Sequence, residues 1–143
     1  MPGQESGVEV YGEQRGCALC DYDHDGRIDL VVTQNGNATQ LYHNVGARPG
    51  LRVRLRGPAG NPDGVGAVLR LGDEQGWGPA REIHAGAGYW STDSPVQVMC
   101  FTRTPTRLSV RWPWAAAVTL PLPPGARDIE VDSSGNLKVV GGR

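Results

Sequence analysis

The sequence has little of what builds membrane-spanning, disulfide-bonded or nucleic-acid-binding proteins. No stretch approaches the ~18 consecutive apolar residues of a membrane-spanning helix, so we expect no membrane insertion. Three cysteines are too few for a disulfide framework, and they cannot all pair within one chain. The formal net charge of −1 gives no electrostatic reason to expect nucleic acid as a partner.

Glycine and proline, in contrast, are abundant, with 21 and 11 copies among 143 residues. Both residues interrupt helices, and no long segment repeats its apolar residues at the spacing of a helix. Short runs of alternating apolar and polar residues recur between turn-forming residues instead. We therefore predict an all-β fold.

Charge is unevenly distributed along the chain, which indicates two units. Residues 1–47 carry seven acidic and two basic groups, whereas residues 48–143 carry eight acidic and twelve basic groups. In the first unit we predict four strands, the size of one propeller-type blade, and in the second eight strands, which suit a small β-sandwich or barrel. The predicted strands cover residues 8–11, 17–20, 28–33 and 40–43 in the first unit, and 51–56, 65–71, 80–84, 96–101, 107–112, 118–120, 129–131 and 137–140 in the second.

Strand 51–56 has the clearest alternation, because it reads Leu-Arg-Val-Arg-Leu-Arg. Successive side chains of a strand point to opposite faces. We therefore expect the three apolar side chains in the core and the three arginines in solvent.

Residues 21–29 read Asp-Tyr-Asp-His-Asp-Gly-Arg-Ile-Asp, which is the strongest functional signal in the chain. Ca²⁺ prefers oxygen ligands, and alternate residues of a tightly curved loop can turn their carboxylates inward. Gly26 permits a positive φ where such a loop turns around the ion. The spacing therefore predicts a calcium site whose ligands are the side chains of Asp21, Asp23, Asp25 and Asp29 and the carbonyl of Arg27.

This loop differs from an EF-hand, because its twelfth position is Val32 instead of a bidentate Glu. Asp29 would take over the closing-ligand role. His24 occupies an outward-pointing position, so we expect it to be exposed. The alternative interpretation is an Asp-rich turn that holds no ion, or one that holds Mg²⁺.

Other candidate sites have weaker signals. Cys17 and Cys20 match the spacing of redox and zinc motifs, but no second ligand pair exists, and we interpret both as small apolar side chains. No Ser or Cys nucleophile has a positioned His and acid, so we predict that the protein is not an enzyme. A sugar-stacking surface remains an alternative to core packing for four tryptophans, Trp77, Trp90, Trp112 and Trp114.

Two segments of the chain resemble known families. Residues 16–46 are similar to an FG-GAP (VCBS) repeat, through the Asp-rich loop and a Leu-Tyr-His-Asn signature. Residues 51–140 resemble an ASPIC/UnbV domain. The motifs that carry the second resemblance are Asn-Pro-Asp-Gly-Val-Gly-Ala at 61–67, Gly-Ala-Gly-Tyr-Trp-Ser at 86–91 and Val-Arg-Trp-Pro at 110–113.

Together the two resemblances imply the C-terminal part of a protein similar to the cartilage acidic (CRTAC-like) proteins, in which several repeats form a calcium-stabilised propeller. One departure is that the family's Phe-Gly-Leu-Gly reads Phe-Thr-Arg-Thr at residues 101–104. The expected function is a non-enzymatic, calcium-binding interaction or structural module, extracellular or in the cell envelope, with an unidentified protein or carbohydrate ligand. The alternative is an accessory factor of an enediyne-type biosynthetic pathway that binds a small hydrophobic product.

A single blade leaves its edge strands without neighbours. Exposed edges present unpaired N–H and C=O groups, so we predict a homodimer through the strands near residues 8–11 and 40–43. The alternative is a monomer in which the blade packs on the second unit.

Overall fold

The computed structural model describes residues 2–141, which form three β-sheets and one helical turn. This confirms the all-β prediction. No helix within these residues is long and apolar enough to cross a membrane. The elements in chain order are α1 (Gly3–Ser6), β1 (Gln14–Cys20), β2 (Asp29–Gln34), β3 (Asn37–Tyr42), β4 (Leu51–Arg56), β5 (Val68–Asp73), β6 (Gly76–Trp77), β7 (Arg81–Glu82), β8 (Gln97–Met99), β9 (Arg107–Arg111), β10 (Val118–Pro121), β11 (Asp128–Asp132) and β12 (Leu137–Val139).

The first unit is an antiparallel sheet in the order β1-β2-β3. A two-residue turn of Asn35 and Gly36 joins β2 to β3. Gly36 has a φ of 68°, a left-handed conformation that glycine adopts without a steric cost. The Asn-Gly pair thus sets the hairpin, and the hairpin positions the end of β3 beside the Asp-rich loop.

The predicted fourth strand at residues 8–11 is wrong, because the described part of the first unit forms only three strands. Side chains bond the carbonyls that a strand ladder would use. The Tyr42 hydroxyl donates to the Glu9 carbonyl at 2.7 Å, and Gln14 Nε2 donates to the Val10 carbonyl at 2.7 Å. Tyr11 is 76% exposed, so this segment does not contribute its aromatic side chain to an apolar core.

The second unit consists of two open sheets. One sheet has the order β12-β11-β4-β8, with β4 and β11 parallel. The other has the order β10-β9-β5, with β6 and β7 both pairing along the remaining edge of β5. All eight predicted strands of this unit occur, β4 with its predicted bounds and the other seven with shifted ones. The two-residue strand β6 was not predicted.

A single apolar core lies between these two sheets, and they do not close into a barrel. Of the two predicted alternatives, a sandwich and a barrel, the structure therefore has the sandwich. Within residues 2–141, the core contains no residue of the first unit. Its buried side chains are Leu51, Val53, Leu55, Ala67, Leu69, Leu71, Ile83, Met99, Leu108, Val110, Trp112, Ile129 and Val131.

The expectation that all arginines of β4 face solvent is wrong for Arg52, which is only 6% exposed. The first unit covers this side of the sandwich. The Gly50 N–H donates to the Gly26 carbonyl at 2.7 Å, and the Ser94 N–H donates to the Leu19 carbonyl at 2.9 Å. The Leu19 N–H in turn donates to Asp93 Oδ1 at 2.8 Å, so the sandwich occupies part of the outer edge of β1.

Candidate metal site at the junction of the two units

The Asp-rich loop connects β1 to β2 and lies against the sandwich. Gly26 has a φ of 84°, as its predicted role requires. A Cβ at Gly26 would lie 3.1 Å from the Gly50 carbonyl oxygen and 3.2 Å from Pro49 Cβ. Glycine is therefore needed twice, for the turn and for the close approach of the two units. His24 also has a positive φ, 67°, and is exposed as expected.

Asp21 and Asp29, at the two ends of the loop, are buried and held by backbone donors. Asp21 accepts from the N–H groups of Asp25 and Gly26, each at 3.0 Å. Asp29 accepts from the Tyr22 N–H at 3.2 Å and the Asn44 N–H at 2.8 Å. These donors hold the two carboxyl groups at fixed positions at the ends of the loop.

The structure brings three of the four predicted carboxylates together. Oxygen atoms of Asp21, Asp23 and Asp29 all lie within 4.8 Å of one another. Asp25 is absent from this group and instead clusters with Asp23 and His43. Three converging carboxylates fit a hard divalent cation, so the residues present match the chemistry of the predicted ion. The roles of Asp25 and of the Arg27 carbonyl stay predictions.

Asp25 makes a local contact with Arg27. The Arg27 guanidinium forms an ion pair with Asp25, and the Arg27 N–H donates to Asp25 Oδ1 at 2.8 Å. Partial desolvation raises the pKa of Asp25, but the hydrogen bonds and charge of Arg27, together with His43, outweigh it and lower the pKa below its ordinary value. The sequence predicted a role for the Arg27 carbonyl and missed the role of its side chain.

His43 is a functional candidate that the sequence did not indicate. Its Nε2 lies 3.0 Å from Asp23 Oδ2 and 3.6 Å from Asp25 Oδ2, and its ring meets Tyr22 edge-on. The signal that could have found it is its position directly after β3, which pairs with the strand that begins at Asp29.

Asn44 links the loop to the segment that leads into the sandwich. Its N–H bonds Asp29, and its Nδ2 donates to the Ile28 carbonyl at 3.0 Å. Its Oδ1 accepts from the N–H groups of Gly46 and Ala47 at 3.2 and 3.0 Å. The Leu-Tyr-His-Asn signature therefore ends in a residue that clamps one end of the Asp-rich loop.

Arg52 places a buried positive charge beside the loop, and sequence reasoning missed it. Its Nε lies 2.7 Å from Asp21 Oδ2, an ion-pair distance without hydrogen-bond alignment. Its Nη1 forms an ion pair with Asp128 on β11. The arginine thus joins the acidic loop to two strands of the sandwich, and it compensates part of the loop's negative charge.

The two cysteines of β1, three residues apart, differ in their exposure. Cys17 is exposed and Cys20 is half-buried, and both are free. Burial raises the pKa of the Cys20 thiol, and the nearby charges of Asp29, Asp21 and Asp93 raise it further. Because a raised pKa reduces the thiolate fraction, Cys20 is a poor nucleophile.

A second concave site lies in the sandwich, where β5 and β6 face the segment that follows β8. Its volume is about 540 Å³. Leu71, Met99, Trp77 and Phe101 provide apolar surface, and none of the loop's aspartates lines it. The tryptophans do not form one surface, because among the aromatic pairs of residues 2–141 only Trp112 and Trp114 stack on each other, at 5.4 Å.

A family model described as ASPIC and UnbV matches residues 57–138, which confirms the resemblance expected for the second unit. No curated protein matches the chain. The matched segment covers more than half of the 143 residues and extends through the sandwich from β5 into β12. The chain therefore belongs to the ASPIC and UnbV family.

Proposed function

We propose that this protein is a non-enzymatic calcium-binding module in which the ion fixes the Asp-rich loop at the junction of the two units. The observation that carries this proposal is the convergence of Asp21, Asp23 and Asp29 within 4.8 Å. Two of these carboxylates are buried. Like charges held this close repel each other, and a divalent cation removes the repulsion while accepting their oxygens as ligands.

In this proposal Asp25 and the Arg27 carbonyl complete the ligand set. Arg52 sets the local charge balance, because it already pairs with Asp21 and Asp128. The bound ion would supply a charge that ties both ends of the loop together. Asn44 and Arg52 would then hold the ordered loop against the sandwich, because both contact the loop and the segments that lead into or form the sandwich.

The loop sequence and the Leu-Tyr-His-Asn signature support a wider proposal, that the first unit is an FG-GAP-like repeat of a CRTAC-like protein and derives from a propeller-type blade. Calcium sites of extracellular modules bind at about 10⁻⁴–10⁻³ M, which suits calcium levels outside cells. We therefore propose an extracellular or cell-envelope location, with a protein or carbohydrate partner still to be identified.

Calorimetric titration of the metal-free protein with CaCl₂ tests the calcium proposal. We expect one site with a Kd of about 10⁻⁴–10⁻³ M. Asp23→Ala and Asp29→Asn should remove binding, whereas Asp63→Ala, at an exposed position outside the loop, should leave it unchanged. Absence of a saturable signal at calcium concentrations well above this range, or equal binding by all three variants, would refute the proposal. Tighter binding of Mg²⁺ than of Ca²⁺ would refute the choice of ion.

A second candidate function is favoured by the cleft in the sandwich. Its volume of about 540 Å³ falls within the roughly 300–1,000 Å³ range of small-molecule sites. The cleft supports an accessory role in which the protein binds a small, largely apolar molecule, as in an enediyne-type biosynthetic pathway. Saturable binding of a naphthalene-based probe would support this role, and the absence of binding by any such probe would exclude it.

A further inference from the structure

The cleft exists because two sheet edges face each other without a covering strand. β8 is the edge strand of the four-stranded sheet, and β6 and β7 occupy the edge of the other sheet. The cleft lies between these edges, and the segment after β8 contributes Phe101 to one side. Leu71 and Met99, both part of the sandwich core, form its apolar base.

Trp77 forms a side wall that is held in place before any ligand arrives. A Cβ on Gly72 would lie 2.6 Å from Trp77 Cε3, so the absence of a side chain at Gly72 makes room for the indole ring. The Arg107 guanidinium carbon lies 4.5 Å from the centroid of the same ring, a cation–π contact. Trp77 is nevertheless 37% exposed, as is Phe101. Fixed but exposed aromatic rings in a concave site lower the entropy cost of binding.

Positive charge predominates around these apolar walls. Arg48, Arg81 and Arg103 line the cleft, against the single carboxylate of Asp73. Arg103 is already paired, because its Nε lies 2.7 Å from Asp73 Oδ2. Within residues 2–141, the side chains of Arg48 and Arg81 have no ion pair and no hydrogen bond, and both are exposed. Two unpaired guanidinium groups beside apolar surface complement a molecule with an apolar body and one anionic group.

We propose that this cleft binds a small, largely apolar carboxylic acid in its anionic form. The apolar body would lie against Trp77 and Phe101, and the carboxylate would meet Arg48 and Arg81. The proposal rests on the second candidate function above and adds the chemical class of the ligand. It is independent of calcium, because no residue of the proposed calcium site lines the cleft.

Calorimetric titration of the full chain with 2-naphthoate and with 2-naphthamide, its uncharged analogue, tests the proposal. Hydrogen bonds to charged groups contribute about 1.5–3 kcal/mol, so we expect naphthoate to bind about tenfold more tightly or better. The double variant Arg48→Gln/Arg81→Gln should remove this preference. Arg111→Gln changes an exposed arginine outside the cleft and should keep it.

The possible outcomes distinguish the carboxylate proposal from the second candidate function. Equal binding of naphthoate and naphthamide would overturn the carboxylate proposal and leave the second candidate function standing. Failure of both probes to bind would overturn both. Trp77→Ala and Phe101→Ala should each weaken both probes, whereas Trp90→Ala, at a residue 88% exposed outside the cleft, should not.

Cys100 provides a second measurement that does not depend on any variant being stable. This exposed thiol lines the cleft, whereas exposed Cys17 lies on β1 outside it. Naphthoate at ten times its Kd should slow alkylation of Cys100 about tenfold and leave Cys17 unaffected. Equal alkylation rates at Cys100 with and without saturating naphthoate would mean that the probe binds elsewhere, which would overturn the proposal.

Discussion

The sandwich and the three-stranded sheet bury different kinds of side chain. The sandwich encloses thirteen residues in one apolar cluster. In the described part of the first unit, Val32 is the only buried large apolar side chain, and the other buried side chains are those of Asp21 and Asp29. The comparison indicates that the sandwich is stabilised by its own core, whereas the first unit depends on polar contacts with the loop and with the sandwich.

The largest effect should come from breaking the contact between the two units at Arg52. Arg52→Met leaves the buried carboxylate of Asp21 without its cation, and removing one partner of a buried ion pair costs about 3–5 kcal/mol. The measurement is the free energy of unfolding in urea. Arg54→Met, two residues along β4, should change it by less than about 0.5 kcal/mol, because Arg54 has no ion pair within residues 2–141. Equal effects of the two variants would contradict the assigned role of Arg52.

Leu69→Ala in β5 tests whether the sandwich is stabilised by its own apolar core. Leu69 is fully buried, and such truncations cost about 2–5 kcal/mol of unfolding free energy through lost burial and the remaining cavity. The matched change in the first unit is Leu41→Ala in β3, which is 52% exposed and should cost less than about 0.5 kcal/mol. A loss at Leu41 as large as that at Leu69 would mean that the first unit has an apolar core of its own.

Calcium should increase the free energy of unfolding of the first unit by a smaller amount. An ion that binds only the folded state adds RT ln(1 + [L]/Kd), which is about 1.4 kcal/mol at ten times Kd. Asp23→Ala should abolish this increment, because Asp23 belongs to the converging carboxylates. Thermal melts with and without calcium measure it, and an unchanged calcium response in Asp23→Ala would count against the ligand set.

Asp132, at the turn between β11 and β12, should make a still smaller contribution to stability, and this contribution should depend on pH. The Asn136 side chain, followed by the backbone N–H groups of Asn136, Ser134 and Gly135, lowers the pKa of Asp132. A lowered pKa means that this carboxylate stabilises the fold above the ordinary carboxyl pKa of about 3.9, and that the stabilisation is lost as pH falls through the folded-state value.

Asp132→Asn should therefore reduce the urea midpoint at about pH 6, and the difference from the wild type should shrink towards pH 3. Glu74→Gln, at an exposed position, serves as the control. A difference between Asp132→Asn and wild type that stays constant with pH would show that the charge of Asp132 is not what stabilises the turn.

The weakest effect concerns self-association, which stays a prediction. The strand expected at residues 8–11 does not form, and β1 is partly covered, so β3 is the edge left for pairing. We expect the sedimentation mass to rise above 15.3 kDa at high concentration. Leu41→Lys places a charge on this edge and should keep the chain monomeric. A wild-type mass that stays at the monomer value would exclude the dimer.

Local patterns in the sequence predicted what depends on local geometry. The alternation at residues 51–56 predicted β4 with its observed bounds, and the spacing of the aspartates predicted four converging carboxylates, of which Asp21, Asp23 and Asp29 lie within 4.8 Å of one another. Both follow from the periodicity of a strand and the curvature of a short loop.

Long-range contacts decided the rest. The alternation of β4 predicts an exposed Arg52, and only the packing of the loop against β4 buries it. His43 contacts the loop because the β2–β3 hairpin places the residue after β3 beside it. One short-range contact was also missed, because the spacing of the aspartates does not show that the Arg27 side chain pairs with Asp25. The cleft likewise depends on two sheet edges, β6 and β8, that are distant in sequence.

The covered edge of β1 also limits how this protein can aggregate. Edge-to-edge stacking into a fibril requires two open edges for each molecule, so that every added copy offers a new one. Here the backbone of Leu19 is already bonded to Asp93 and Ser94, so β1 is blocked at that residue, and β3 is the more open edge of the small sheet. Pairing through a single open edge ends with two molecules related by a two-fold axis. The docking of the sandwich on β1 therefore favours pairing of the small sheet through β3 and disfavours repeated stacking through both of its edges.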